Sequence, residues 1–234
     1  MPTTPVVTVI GGGMAGCEAA WQLAKRGVCV RLYEMRPVKQ TPVHKTDALA
    51  EMVCSNSLRS DGLDNAVGLL HEEMRRLDSL FLSSADNNRV PAGKALAVDR
   101  SRFSRELTER LAAVSEVEIV RGELTEIPKG PCIIATGPLT SEALSQDICK
   151  LTGSEHLYFY DAISPIVLAD TIDTNKTFAA SRYDKGGADY INCPFTQQEF
   201  DRFYTELMPV SYTHLRAHET LRYLGCRGLR EKKK

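Results

Sequence analysis

Four groups of residues have types and spacing that could do chemistry. Gly11, Gly13 and Gly16 stand in the spacing G-x-G-x-x-G. Between a strand and a helix, that spacing builds a cradle for a dinucleotide pyrophosphate. Gly11 permits the tight turn, Gly13 keeps a Cβ out of the path of the phosphates, and Gly16 lets the helix pack closely on the strand. The helix N-terminus then holds the phosphate charge. Glu34 follows at the offset of about twenty residues where an acid accepts hydrogen bonds from the adenosine ribose hydroxyls. Thr136 and Gly137 close an apolar run, Cys132–Ala135, in the sequence A-T-G-P. A glycine at such a strand end lets a further backbone approach a cofactor from the opposite side. Cys54 opens the polar stretch Cys-Ser-Asn-Ser, with Arg59 close behind. A thiol beside a guanidinium ionises more readily and becomes a nucleophile. The same local pattern also describes a structural cysteine buried next to an Asn/Ser turn.

The elements that must position these groups follow from periodicity. Val6–Ile10 is a β-branched apolar run and reads as a buried parallel strand, followed by a helix running to Arg26 and a second strand over 28–33. Residues 35–46 hold Pro37 and Pro42 without periodicity and read as a loop, and 48–53 as a helical turn or two. From Ala66, the residues Val67, Leu70, Met74, Leu77 and Phe81 recur at helical spacing, with Asp64 or Asn65 as cap. Glu72 and Arg76 would pair on the outer face, and Arg75 and Arg76 read as a solvated face. Residues 90–99 read as extended with a turn at 91–93. A helix over about 101–113 carries Phe103, Leu107 and Leu111, with Asp99 or Ser101 as cap. Strands are expected at 117–120 and 122–127, and a buried one at 132–135. The fold class is α/β, a Rossmann-like dinucleotide-binding domain.

Composition sets the broad class. Hydrophobic residues at 43% and charged residues at 25% over 234 residues describe a globular protein of one large or two small domains. No apolar run reaches the ~18 residues of a membrane span, and no charged-then-apolar segment precedes the first strand, which argues for a cytoplasmic protein with no membrane partner. The seven cysteines lack C-x-x-C spacing and read as free thiols. The formal net charge of −1 is unevenly spread. Residues 211–234 hold seven Lys/Arg and two Asp/Glu, leaving 22 and 28 in residues 1–210. The acidic main part carries no global footprint for nucleic acid, so a polyanion site would be a local patch. His214 and His218 are four apart, but without a third ligand they do not make a metal site.

Six stretches together resemble the TrmFO family of folate- and FAD-dependent tRNA uracil-5 methyltransferases: residues 9–20, 49–60, 90–100, 134–138, 159–166, and 181–185 with 189–194. The first is common to many flavoproteins, whereas the cysteine stretch and the last two are specific to the family. The resemblance implies FAD in the glycine cradle, 5,10-methylenetetrahydrofolate as co-substrate, and NADH or NADPH as reductant. The acceptor is C5 of a T-loop uridine in tRNA. It adds Arg100, at the end of the 90–100 stretch, to the cofactor-binding residues Gly11, Gly13, Gly16, Glu34, Thr136 and Gly137. Cys54 matches the family's first functional cysteine, whose role would be a thiolate adding at uracil C6, guarding the flavin or stabilising an intermediate.

The resemblance stops after Met208, and residues 211–234 match nothing in the family. Cys226 lies in Gly225-Cys-Arg-Gly228 and lacks the proline of the family's second functional cysteine, so that role is not transferred to it. The expected layout is an FAD-binding domain over 1–150 with an inserted loop and helix region at 37–100. The start of a tRNA- and folate-binding domain covers 151–209, and a non-native tail 210–234. Two other classes fit the same cradle, a generic FAD- or NAD-dependent oxidoreductase without an RNA role and a truncated fragment without activity.

Overall fold

The β-branched run forms strand β1 (Val6–Ile10), and the glycines after it turn the chain into helix α1 (Met14–Ala24). The computed structural model describes residues 6–41, 43–53, 55–153, 169–181 and 187–208. Gly27, at φ 72, reverses the chain after α1 in a conformation that costs a residue without Cβ little. Strand β2 (Cys29–Glu34) then lies parallel to β1, with Val6 opposite Cys29 and Ile10 opposite Tyr33.

An excursion follows. It holds β3 (Ser57–Ser60), α2 (Ala66–Arg76), α3 (Leu80–Asn87), β4 (Arg89–Val90) and β5 (Ala95–Val98). Its strands form an antiparallel sheet in the order β3-β5-β4. Helix α4 (Arg100–Ala112), capped by Asp99 through the N–H groups of Ser101 and Arg102, brings the chain back. Strands β6 (Val117–Arg121) and β7 (Cys132–Ile134) complete a parallel sheet in the order β6-β2-β1-β7, followed by α5 (Glu142–Thr152). This is the Rossmann-like α/β architecture that the first strand, helix and acid predict.

One core joins the two sheets. Val9 and Leu32 from the parallel sheet, Leu80 and Leu82 from α3, Leu96 from β5, and Phe103, Leu107 and Leu111 from α4 are all fully buried. Each large apolar side chain buried this way contributes about 1.5–3 kcal/mol. The ring of Phe103 meets Phe81 edge to face at 5.8 Å.

Five local expectations are corrected. Residues 48–53 make a turn and no helix: Ala50 takes a left-handed φ of 51 and donates its N–H to Gly12 O at 2.8 Å. The run from Ala66 to Phe81 is two helices, because Asp78 at φ 57 breaks it and Ser79 caps the second by accepting from the Leu82 N–H. Leu70 and Leu77 are consequently about half or more exposed. Arg75 is ion-paired with Asp61 and Asp86, whereas Arg76 is solvated as expected. No strand forms over 122–127, where the Gly122 N–H goes to Glu34 O and the Ile127 N–H to the Asp147 carboxylate. Finally, β7 is only half-buried, with Ile133 and Ile134 each 37% exposed, because it stands at the edge of the sheet.

The chain divides into two compact units, residues 1–172 with 179–191, and residues 173–178 with 192–234. Strands β8 (Phe178–Ala180) and β9 (Tyr190–Asn192) pair with each other. Helix α6 (Gln197–Leu207), in the second unit, starts at a capping box between Thr196 and Glu199. His214, His218, Cys226 and the rest of 209–234 lie outside the described residues.

Candidate functional site

The site is built where β1 ends. Gly11 adopts φ +101, and a Cβ there would sit 2.7 Å from Ala135 O and 2.8 Å from Thr136 Cα, so the end of β7 presses directly on the turn. The Gly11 N–H donates to Tyr33 O at 2.8 Å, and the Ala135 N–H to Ile10 O at 2.7 Å. Gly16 lies beneath: a Cβ there would be 1.9 Å from Gly11 O, which no side chain can occupy. Gly13 differs. It is the N-cap of α1, at φ −74, it contributes no side-chain cap bond, and nothing lies within 4 Å of its would-be Cβ. Its open face is where a ligand backbone can approach, beside first-turn N–H groups that have no partner within the helix.

Glu34 ends β2 and is 6% exposed. Its Oε2 accepts the Gly12 N–H at 3.0 Å, and its Oε1 accepts the Arg36 N–H at 3.0 Å and Arg36 Nε at 2.9 Å. Burial by itself would raise the carboxyl pKa, but these bonds and the Arg36 charge outweigh it and hold Glu34 below the usual carboxylate range. Arg36 is itself 2% exposed and reaches on to Glu51 at 3.0 Å and to Thr46 O at 3.3 Å. Glu51 in turn accepts the N–H groups of Lys45 and Thr46. Cys17, wholly buried under Gly12 O, is pushed up to about 12 by burial and by the neighbouring Glu34 charge, so it is an inert thiol.

These groups surround a cavity of about 320 Å³, at the lower end of the range of about 300–1,000 Å³ typical of ligand sites. Gly11, Gly13, Glu34, Thr136 and Gly137 all line it, together with Met14, Arg36, Glu51 and residues 122–124. Gly137, at φ +61, starts a short 3-10 turn to Leu139, and the Thr136 and Thr140 hydroxyls bond at 2.6 Å. Gly16 supports the turn from behind. Arg100 is not among the lining residues; its Nη1 donates to Met52 O at 3.4 Å. Cys54 lies outside the described residues.

Of the lining residues that sequence reasoning missed, Gly12, Arg36 and Glu51 shape the site most directly. Gly12 is as constrained as its neighbours, since a Cβ would come within 2.6 Å of Leu49 Cδ2 and 2.7 Å of Glu34 Oε2. The run of three consecutive glycines is its only signal. Arg36 and Glu51 are fifteen positions apart in a stretch without periodicity, and no local pattern marks their pairing.

The family model described as glucose inhibited division protein A matches residues 6–233, a span that takes in most of the expected tail. The methylenetetrahydrofolate--tRNA-(uracil-5-)-methyltransferase TrmFO of Anoxybacillus flavithermus is 59% identical over 221 residues, which is 94% of this chain and 51% of that protein. The same enzyme of Bacillus subtilis is 58% identical with the same two coverages, and that of Halalkalibacterium halodurans 56% identical over 96% of this chain and 52% of its own length. The chain spans about half the length of the curated relatives it matches. Among solved structures, the GidA-related protein from Thermus thermophilus is 16% identical over 58% of this chain and 54% of that one, at a TM-score of 0.33. FqzB is 18% identical over 65% of this chain and 39% of its own, at a TM-score of 0.42.

Proposed function

The chain belongs to the glucose inhibited division protein A family, and from that premise we propose that it serves FAD-dependent transfer of a methyl group from 5,10-methylenetetrahydrofolate to C5 of a T-loop uridine in tRNA. The observation that carries this reading is the 56–59% identity to proteins named for that reaction over 94–96% of the chain.

The site residues fit the adenosine end of FAD. The open face of Gly13 admits the pyrophosphate to the N-terminus of α1, where N–H groups and the helix dipole favour negative charge. Glu34 is fixed as an anion beside the turn, able to accept a ribose hydroxyl. Thr136 and Gly137 line the same cavity, against the turn at Gly11. When bound, the flavin supplies reducing equivalents drawn from NADH or NADPH and passes on the one-carbon unit. Cys54 is the candidate nucleophile: thiolate addition at uracil C6 would turn C5, a poor nucleophile, into an enolate carbon that can take up that unit. Residues 151–209 would open the tRNA- and folate-binding domain. A tRNA substrate and the free thiols of the five cysteines among the described residues support a cytoplasmic setting, and no helix among those residues is long and apolar enough to cross a membrane.

The test incubates the chain with FAD, NADH or NADPH, methylenetetrahydrofolate labelled in its one-carbon unit, and a tRNA transcript. Label at C5 of the T-loop uridine, abolished by Cys54→Ala, is the expected result. A chain that retains FAD yet transfers no label would overturn the proposal.

A further inference from the structure

We infer that Asn56 is a positioning residue for Cys54: its side-chain amide takes the place of a backbone N–H in the ladder to β5 and fixes the C-terminal flank of the cysteine. The inference rests on the proposed role of Cys54 and adds to it the residue that keeps the thiol in register with the cavity.

The stretch around Cys54 is held differently on its two sides. On the N-terminal side, helix α4 fixes the backbone at three points. The Leu49 N–H donates to Thr108 Oγ1 at 2.9 Å, Ser104 Oγ donates to Ala50 O at 3.2 Å, and Arg100 Nη1 donates to Met52 O at 3.4 Å. Leu49, Ala50 and Met52 are all buried, and Val53 lines the cavity together with the glycine turn. The chain thus leaves the cavity wall one residue before Cys54.

On the C-terminal side the bonds to β5 that precede β3 all pass, among the described residues, through Asn56. The Val98 N–H donates to Asn56 O at 3.0 Å, and Asn56 Nδ2 donates to Val98 O at 3.2 Å. A hydrogen-bonded pair in an antiparallel ladder exchanges two backbone bonds; here the side chain supplies one of the two donors. The neighbouring serines show why the ladder needs that help. Ser55 Oγ accepts the Ser57 N–H at 3.0 Å and Ser57 Oγ accepts the Arg59 N–H at 3.2 Å. Local bonds of this kind compete with strand pairing, and the register of β3 on β5 shifts between Ser57 and Ser60. Val98, by contrast, is 1% exposed and belongs to the core, so it cannot follow a flank that slips. Without the amide, a single bond would tie residue 56 to β5. A reacting group misplaced by about 1 Å can lose on the order of a hundredfold in rate, so a loosened flank costs the thiol its placement while the core stays intact.

The experiment alkylates the full 234-residue chain with iodoacetamide, without and with saturating FAD, and follows Cys54 and the exposed Cys193 as separate peptides by mass spectrometry. In the unmodified chain FAD should slow the modification of Cys54 by about tenfold, since a site of this kind covers most of what lies against its ligand, and should leave Cys193 unchanged. Asn56→Asp keeps the shape but sets a carboxylate against Val98 O, and protection of Cys54 should fall below about threefold. Because Asn56 is not among the lining residues, FAD affinity should hold. Asn56→His, whose ring Nδ1–H stands as far from the backbone as the amide, should restore protection to within about twofold of the unmodified chain. A merely structural asparagine would move FAD affinity and melting temperature together and leave the loaded chain protected. Undiminished protection in the aspartate variant, or no recovery in the histidine variant, overturns the positioning role. So does an unmodified chain whose bound FAD leaves Cys54 unprotected, a result that spares the FAD reading. A chain that takes up no FAD overturns the proposed function and this inference together.

Discussion

In the glycine turn after β1, backbone lies against backbone; in the excursion between β2 and α4, charge lies against charge. At Gly11 and Gly16 the nearest atoms to an added Cβ are backbone oxygens 2.7 and 1.9 Å away, so shape is fixed by what cannot be added. In the excursion, Asp61 accepts from His71 at 3.2 Å, Arg75 at 2.9 Å and Arg89 at 2.9 Å, and Arg75 also holds Asp86 at 2.7 Å. Burial alone would raise the Asp61 pKa, but the bonds from Arg75 and His71 outweigh it and hold it below the usual range, while the two aspartates raise that of Arg75. The turn fails by addition and the network by subtraction.

The largest effect should therefore come from the smallest addition. Gly16→Ala drives a methyl group into Gly11 O, and since both atoms belong to the turn, relief requires moving α1 off the sheet. A loss of about 3 kcal/mol or more is expected, seen as a collapse of the melting transition. Gly13→Ala separates ligand from fold. With open space at its Cβ and an ordinary φ it should melt like the unmodified chain while losing FAD about tenfold or more. If Gly13→Ala retains FAD normally, the open face is not the phosphate path.

Next in size is Asp61→Asn, which removes the common anion of three cationic or polar partners. The side chain is 14% exposed, and about 2 kcal/mol of stability should be lost at neutral pH. The sign with pH is fixed by the direction of the shift. A folded pKa below the unfolded value of about 3.9 stabilises fully above that value and is lost as the pH falls through the folded one. The gap between variant and unmodified chain should thus be constant from pH 7 to about 5 and close in more acid solution. Urea titrations at several pH values check it, and a gap that widens in acid would sink the assignment.

The same contrast explains which features are legible in the sequence. The turn uses a fixed spacing: Gly11, Gly13 and Gly16 are local in sequence, and Glu34, 22 residues beyond Gly12, is legible because a strand–helix–strand unit sets that offset. Asn65 and Asp99 as caps are readable for the same reason. The excursion uses distance. Pairings such as Arg75 with Asp61 and Arg36 with Glu51 connect residues 14 and 15 apart, and no periodicity records them. The strand β3 gives no signal because Ser57–Ser60 is polar and pairs irregularly with β5. The break at Asp78 is hidden because apolar spacing continues through it, although only a left-handed residue there lets α3 turn into the core.

A smaller effect sharpens the comparison within α2. Asn65 Oδ1 accepts the N–H groups of Val67 and Gly68 at 3.1 and 3.0 Å. Asn65→Ala leaves those first-turn donors to water and should cost about 1 kcal/mol, measured by thermal melts. Asn65→Asp should restore most of it, since a carboxylate accepts the same bonds and favours the helix N-terminus. No recovery in the aspartate would mean that the loss came from elsewhere in the turn, such as the Asn65 contact with Ser60.

The smallest effect is the control for the whole network. Arg76 sits next to Arg75 in sequence and also makes an ion pair, to Glu72 at 3.0 Å one helical turn back. Its side chain, however, is 78% exposed where that of Arg75 is 25% exposed. An exposed i,i+4 pair trades charge attraction against solvation and side-chain freedom, so Arg76→Ala should cost no more than about 0.5 kcal/mol and vanish in 1 M salt. Arg75→Ala strips a cation from Asp61 and Asp86 together, where water cannot replace it fully, and should cost several times as much with little salt dependence. Two adjacent arginines, each paired in the structure, thus serve as a direct comparison in denaturant titrations at low and high salt. Equal losses at the two positions would show that burial is not the source of the network's strength.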